Sequence, residues 1–73
     1  MEDQKIGVVI WFDNHLGFGF IRGVNETVDT FVHWKDIDGD GYKRLKKDQT
    51  VRYHIGINDK GRPKAVNVSR IKF

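Results

Sequence analysis

Seventy-three residues, 38% of them hydrophobic and nine of them aromatic, supply one modest core and one domain over 1–73, and exclude a large multi-domain machine. The lack of cysteine excludes a disulfide framework and a thiolate zinc site, and the longest run without a polar residue, 6–12, is far too short to span a bilayer. The net charge of +3 is unevenly spread: residues 1–34 hold two cations against five carboxylates, whereas 50–73 hold six against one, a basic half of the kind expected for a polyanionic partner.

In chain order, the start has no basic segment leading into an apolar run, so no secretory signal is expected and the domain is assigned to the cytoplasm. Residues 5–13, rich in Val, Ile, Trp and Phe, predict a first strand. Asp13-Asn14-His15 turns the chain into a second strand over 16–22, and a loop at 23–26 leads to a third over 27–34. A long polar connection, 35–49, has room for a single helical turn within 42–48. The alternation of Val51, Tyr53, Ile55 and Ile57 marks a fourth strand over 50–57, and a turn at 58–63 leads to a fifth over 64–71. Five short strands with one longer crossing after the third predict an all-β fold, a closed five-stranded antiparallel barrel; an open SH3-like barrel is the rival topology. Val8, Ile21, Val32, Val51, Ile55, Val66 and Val68 are the expected core.

Strand periodicity puts Phe18, Phe20 and Arg22 on one face and Gly17, Gly19 and Ile21 on the other. In the third strand Asp29, Phe31 and His33 share a face, with Thr30, Val32 and Trp34 opposite. Six of the nine aromatics fall between residues 11 and 34, beside aliphatics that already fill so small a core. Packing all six rings inside as well would overfill it. Phe18, Phe20 and Phe31 are therefore expected outside, where flat rings stack unpaired bases. His33 stands beside them as a stacking or hydrogen-bonding group.

Other patterns fail on their own chemistry. The run 36–41 copies the opening of a calcium loop, but Lys47 stands where a bidentate glutamate is needed, so a surface loop is expected. The glycines at 17, 19 and 23 lack dinucleotide-loop spacing. His15, His33 and His54 have no companions at metal-ligand or catalytic-triad spacing, so no metal, cofactor or enzymatic activity is expected. An RNA-recognition-motif fold needs a strand and a helix ahead of residue 16, and only fifteen residues precede it.

With these residues in view, 5–69 resembles a cold-shock domain. Trp11-Phe12 resembles the family's first-strand segment, Gly17-Phe18-Gly19-Phe20-Ile21 its first ribonucleoprotein motif and Phe31-Val32-His33 its second. Gly41-Tyr42-Lys43 is similar to a loop that adds a ring, and Asn67-Val68 to the closing strand. The resemblance implies a five-stranded OB-type barrel, a monomer that binds single-stranded RNA and DNA with low sequence preference and works as an RNA chaperone, with no membrane or small-molecule partner. Carried over by position, the stacking set is Trp11, Phe18, Phe20, Phe31, His33, Trp34 and Tyr42, with Phe12 partly in the core and Asp29 on base edges. Arg22, Lys43, Lys60, Arg62 and Lys64 complete the polar and phosphate-contacting set.

The chain also departs from that family. Ile10 and Leu16 stand where it carries lysines, Asp13 where it carries asparagine, and Arg62 separates Gly61 from Pro63. Phosphate attraction is then expected to shift to the loop cations. The alternative function is a protein-interaction module in which Ile10 and Leu16 extend an apolar patch.

Overall fold

The computed structural model describes residues 4–39 and 44–71. Its strands are β1 Lys5–Asp13, β2 Phe18–Gly23, β3 Asp29–His33, β4 Thr50–Ile57 and β5 Pro63–Arg70, with a short 3-10 turn at Trp34–Asp36. They close into a barrel in the order β1-β2-β3-β5-β4. Closure satisfies the edge hydrogen bonds that β-rich strands otherwise leave open. Four of the neighbouring pairs are antiparallel, but β3 and β5 run parallel, in register at Phe31 with Lys64 and Val32 with Ala65. The expected closed five-stranded antiparallel barrel is what forms, with this single parallel seam. No helix among the described residues is long and apolar enough to cross a membrane.

Turn chemistry sets the strand limits. The Asp13 carboxylate accepts from the amides of His15 and Leu16, at 2.8 and 2.9 Å, and its carbonyl accepts from the Gly17 amide at 2.7 Å. This knot holds Leu16 and Gly17 out of β2, which starts at Phe18. In the β4–β5 turn, Asn58 Oδ1 accepts from the amides of both Lys60 and Arg62 at 2.9 Å. Residues 44–48 form no helical turn; Asp48 has φ 70 and Gln49 N–H donates to the Lys46 carbonyl. Residues 42 and 43 of the expected turn lie outside the described residues.

Val9, Ile21, Val32, Ile37, Leu45, Val51, Tyr53, Ala65 and Val68 make the core, with Phe12 packed against it. The register explains why Val8, Ile55 and Val66 are not among them. Val9 pairs with Ile21 and Trp11 with Phe20, so Ile10 is an extra residue, a β-bulge. The bulge lets Val9 and Phe12 face inward while Trp11 faces out, and Val8 goes to the outer face. Asn67, at φ 51, is a second extra residue, between Val66 and Val68. It turns Ala65 and Val68 inward and leaves Val66 half-buried. Ile55 lies beyond Lys5–Tyr53, the last β1–β4 pair, so only β5 flanks it and it stays exposed.

Tyr53, the largest fully buried side chain among the described residues, reaches Gly23 at the end of β2, where a Cβ would come within 2.8 Å of its hydroxyl. Its hydroxyl is buried and has no hydrogen-bond partner among the described residues. Burial, ahead of the nearby Glu26 carboxylate, pushes its pKa above the ordinary tyrosine value.

Candidate nucleic-acid interface

Pairing turns the alternation of β1, β2, β3 and β5 into rows of outward side chains. Val8, Arg22 and Asp29 form one row; Trp11, Phe20, Phe31 and Lys64 form the next; Asp13, Phe18 and His33 form the third. The rings touch along and across these rows. Trp11 lies 5.9 Å from Phe18 and 5.8 Å from Phe20, centroid to centroid. Phe31 lies 5.8 Å from Phe18 and 6.1 Å from Phe20. His33 follows at 6.5 Å from Phe31, and Trp34 at 5.7 Å from His33. The result is one unbroken sheet of six rings on the outside of the barrel. Contiguous outward rings of this kind mark a candidate binding surface.

The glycines of β2 make this face possible from behind. At Gly19 a Cβ would fall on the carbonyl oxygen of Trp11 and within 2.7 Å of Phe12 Cα. Only glycine lets β1 lie that close, so Phe18 and Phe20 can stand on a strand whose reverse side is filled by Phe12.

Trp34 reaches the platform by a route that alternation does not show. Continued as strand, it would share the inner face of Val32. Instead β3 ends at His33 and the 3-10 turn swings the indole outward, 43% exposed, beside the His33 ring. Gly17, at φ 82, seats it: a Cβ there would fall on the indole Cδ1, and the Trp34 amide donates to the Gly17 carbonyl at 2.8 Å. His33 caps the same turn, its Nδ1 accepting from the Lys35 amide at 3.2 Å. In the neutral ring that bond leaves the proton on Nε2, so His33 offers a donor at its other nitrogen. Lys35 Nζ stands 5.9 Å from the Trp34 ring centroid, a cation–π contact absent from the expected site set.

The polar candidates divide. Arg22 Nε donates to Asp29 Oδ1 at 2.7 Å, so two residues expected to touch ligand separately form one cross-strand ion pair. Lys64 lies 3.3 Å from the carboxylate of Asp36, a residue the sequence pattern offered no reason to place here. Lys60 and Arg62 stand exposed on the β4–β5 turn. Tyr42 and Lys43 lie outside the described residues. Leu16 is 63% exposed beside the platform, and Ile10 occupies the bulge half-buried. Of the calcium-like run, Asp36 is held by Lys64, Ile37 is buried, and Asp38 accepts from the Ser69 hydroxyl at 3.2 Å.

Asp13, at the end of the third row, gives this face a pH dependence. The Leu16 and His15 amides it accepts from hold its carboxyl below the usual carboxylate range. A depressed folded-state pKa contributes stability that is complete above the unfolded value and is lost as pH falls through the folded one. Acidification below about pH 4 should therefore loosen the β1–β2 turn. Asp13→Asn should show a smaller fall in melting temperature between neutral and acid pH than the parent; an equal fall places the acid sensitivity elsewhere.

Residues 5–71 match the model of a family described as the "cold-shock" DNA-binding domain. The chain is 44% identical over 68 residues to the cold shock-like protein CspB of Yersinia pestis, covering 93% of this chain and 96% of that protein. It is 43% identical over 68 residues to the cold shock protein CspA of Staphylococcus haemolyticus, covering 93% and 100%. Cold shock domain-containing protein 4 of Arabidopsis thaliana is 39% identical over 67 residues, 92% of this chain but only 33% of the plant protein, so the chain spans about a third of that relative. Among solved structures, drosophila Unr CSD456 superposes with a TM-score of 0.76 at 21% identity, over 97% of this chain and 28% of that one, a likeness of fold.

Proposed function

The chain belongs to the cold-shock DNA-binding domain family, and from that premise we propose that it binds unpaired RNA and DNA strands by stacking their bases on the outward rings of β1, β2 and β3. The observation that carries the reading is the unbroken run of rings from Phe20 through Trp11, Phe18, Phe31 and His33 to Trp34, with neighbouring centroids 5.7–6.5 Å apart. A π face accepts any base, and each stacked base is worth roughly 1–3 kcal/mol, so sequence preference is low. Duplex is a poor ligand because its bases are stacked on one another already. Binding the open form of a weak hairpin shifts its equilibrium without ATP, which is an RNA chaperone's work, carried out here by a cytoplasmic monomer. In this reading Asp29, one oxygen of which is held by Arg22, bonds to base edges beside the rings.

With Ile10 and Leu16 in the places of two family lysines, phosphate attraction falls to Lys35 and to the turn cations Lys60 and Arg62. Tryptophan fluorescence, followed while unstructured oligopyrimidine DNA and RNA are added at low and high salt, tests the reading. Trp11 and Trp34 should quench. Affinity should fall with salt less steeply than for a relative bearing both lysines, by about 0.7 in slope for each phosphate that has no lysine to meet it. No quenching by either oligomer at low salt defeats the reading. That result would turn the exposed Leu16 and the rings into a protein-docking patch.

A further inference from the structure

The two cations in the outward rows, Arg22 and Lys64, each lie against a carboxylate. Arg22 is paired with Asp29 along the first row. Lys64 ends the Trp11–Phe20–Phe31 row, beside Phe31, where a base lying on that ring would bring its backbone. Its Nζ points instead to Asp36 Oδ2. Asp36 is not there by the freedom of a surface loop. His33 caps the turn before it, and Ile37, 1% exposed, anchors the chain after it by bridging to Val68 of β5. Asp38 N–H then donates to the Val68 carbonyl at 2.7 Å. The Asp36 side chain is 20% exposed and that of Lys64 is 30% exposed. The pair is therefore more sheltered from screening than Arg22–Asp29, at 47% and 33%.

Resting on the stacking reading above, we propose that Asp36 is an intramolecular competitor for phosphate: it occupies Lys64 at the end of the central ring row and so lowers the affinity for charged strands without touching the stacking surface. An approaching phosphodiester meets a nearly neutral pair in place of a cation. It must share Lys64 with a carboxylate fixed by the fold. The consequence is selection by the base faces more than by the backbone. A strand whose bases are paired offers charge without free faces, and it gains little here.

Asp36→Asn keeps the shape and removes the charge. Loss of a like charge some 6–8 Å from a phosphate, in water, corresponds to about a threefold gain in affinity. Short oligothymidylate should thus bind the variant about three times more tightly at low salt, with the salt slope steeper by up to about 0.7 as Lys64 becomes a full phosphate contact. A methylphosphonate oligothymidylate of the same length, which has the bases without the charge, should bind parent and variant equally. Lys64→Gln added to Asp36→Asn should return binding of the charged strand to about the parent level. A parallel gain on the neutral oligomer, or an unchanged or weaker affinity for the charged one in a variant with the parent's melting temperature, overturns the proposal. Should Asp36→Asn lower the melting temperature, Asp36→Ser carries the same comparison. If the parent binds neither oligomer at low salt, the stacking reading itself fails, an outcome separate from the loss of the Asp36 effect.

Discussion

Replacing Phe18 and Phe31 together by alanine should remove most of the affinity for single strands while the barrel stays folded. Both rings stand outside, half-buried, and neither belongs to the cluster of buried side chains beneath them. They lie 5.8 Å apart, tilted by 31°, at the centre of the platform. Removing two stacking partners at roughly 1–3 kcal/mol each amounts to a fall of about thirtyfold to about twenty-thousandfold in affinity. The folded state loses much less, chiefly the attraction between rings, about 0.5–1.5 kcal/mol, and part of their burial. Fluorescence anisotropy of a labelled oligonucleotide reads the affinity without relying on the tryptophans, and thermal denaturation reads the fold. A variant that binds as tightly as the parent refutes the platform. One that unfolds shows the rings to be core.

Gly19→Ala should have the opposite signature, loss of the fold itself. The added methyl would meet the Trp11 carbonyl oxygen and Phe12 Cα, backbone atoms of the neighbouring strand that cannot rotate away. β1 and β2 would have to part at their tightest approach, beside the pairs that carry Trp11 and Phe18. Overpacking that side chains can absorb costs about 1–3 kcal/mol; here backbone must move, so the cost exceeds that range and takes most of the roughly 3–5 kcal/mol that a core this small supplies. The variant should be largely unfolded near body temperature by circular dichroism. Gly61→Ala is the matched control: nothing lies within 4 Å of its Cβ position, and only the left-handed backbone, φ 77, opposes it, at about 1–2 kcal/mol. Equal damage from both substitutions would show that close approach of β1 is not what Gly19 provides.

The barrel was legible in the sequence because alternation and turn residues mark five strands, and because too many rings for one core leave some outside. The two bulges were not, since one extra residue reverses the facing of everything after it and no residue type announces it. Once Trp11 is assigned outward, unbroken alternation sends Val8 inward; with Ile10 as an extra residue, Val9 goes inward in its place. Asn67 does the same to Val66 and Val68, and its tolerance of a positive φ is the one local hint. Ile37 and Leu45 lie buried in what reads as a polar connection, Ile37 through a bridge to Val68 of β5 and Leu45 within the core cluster, placements that periodicity does not encode. Among the site residues, the rings follow from their spacing, whereas Trp34 depends on where a strand stops. The partners of Arg22 and Lys64 were hidden for a different reason. Charge counting locates cations, but only register shows that Asp29 and Asp36 already hold them.

The strand order bears on how the chain comes into being. The six rings all belong to β1, β2 and β3 and the turn that follows, a meander of local hairpins. The side chains that floor its inner face, Val51, Tyr53, Ala65 and Val68, come from β4 and β5. On the ribosome the meander emerges first, aromatic on one side and unfilled on the other, and it waits for the second half to close the barrel through pairings such as Lys5 with Tyr53. Pairings of that sequence separation are the slow ones in folding. The interval between synthesis of β3 and closure by β5 is when this protein exposes the most apolar surface and is most prone to aggregate.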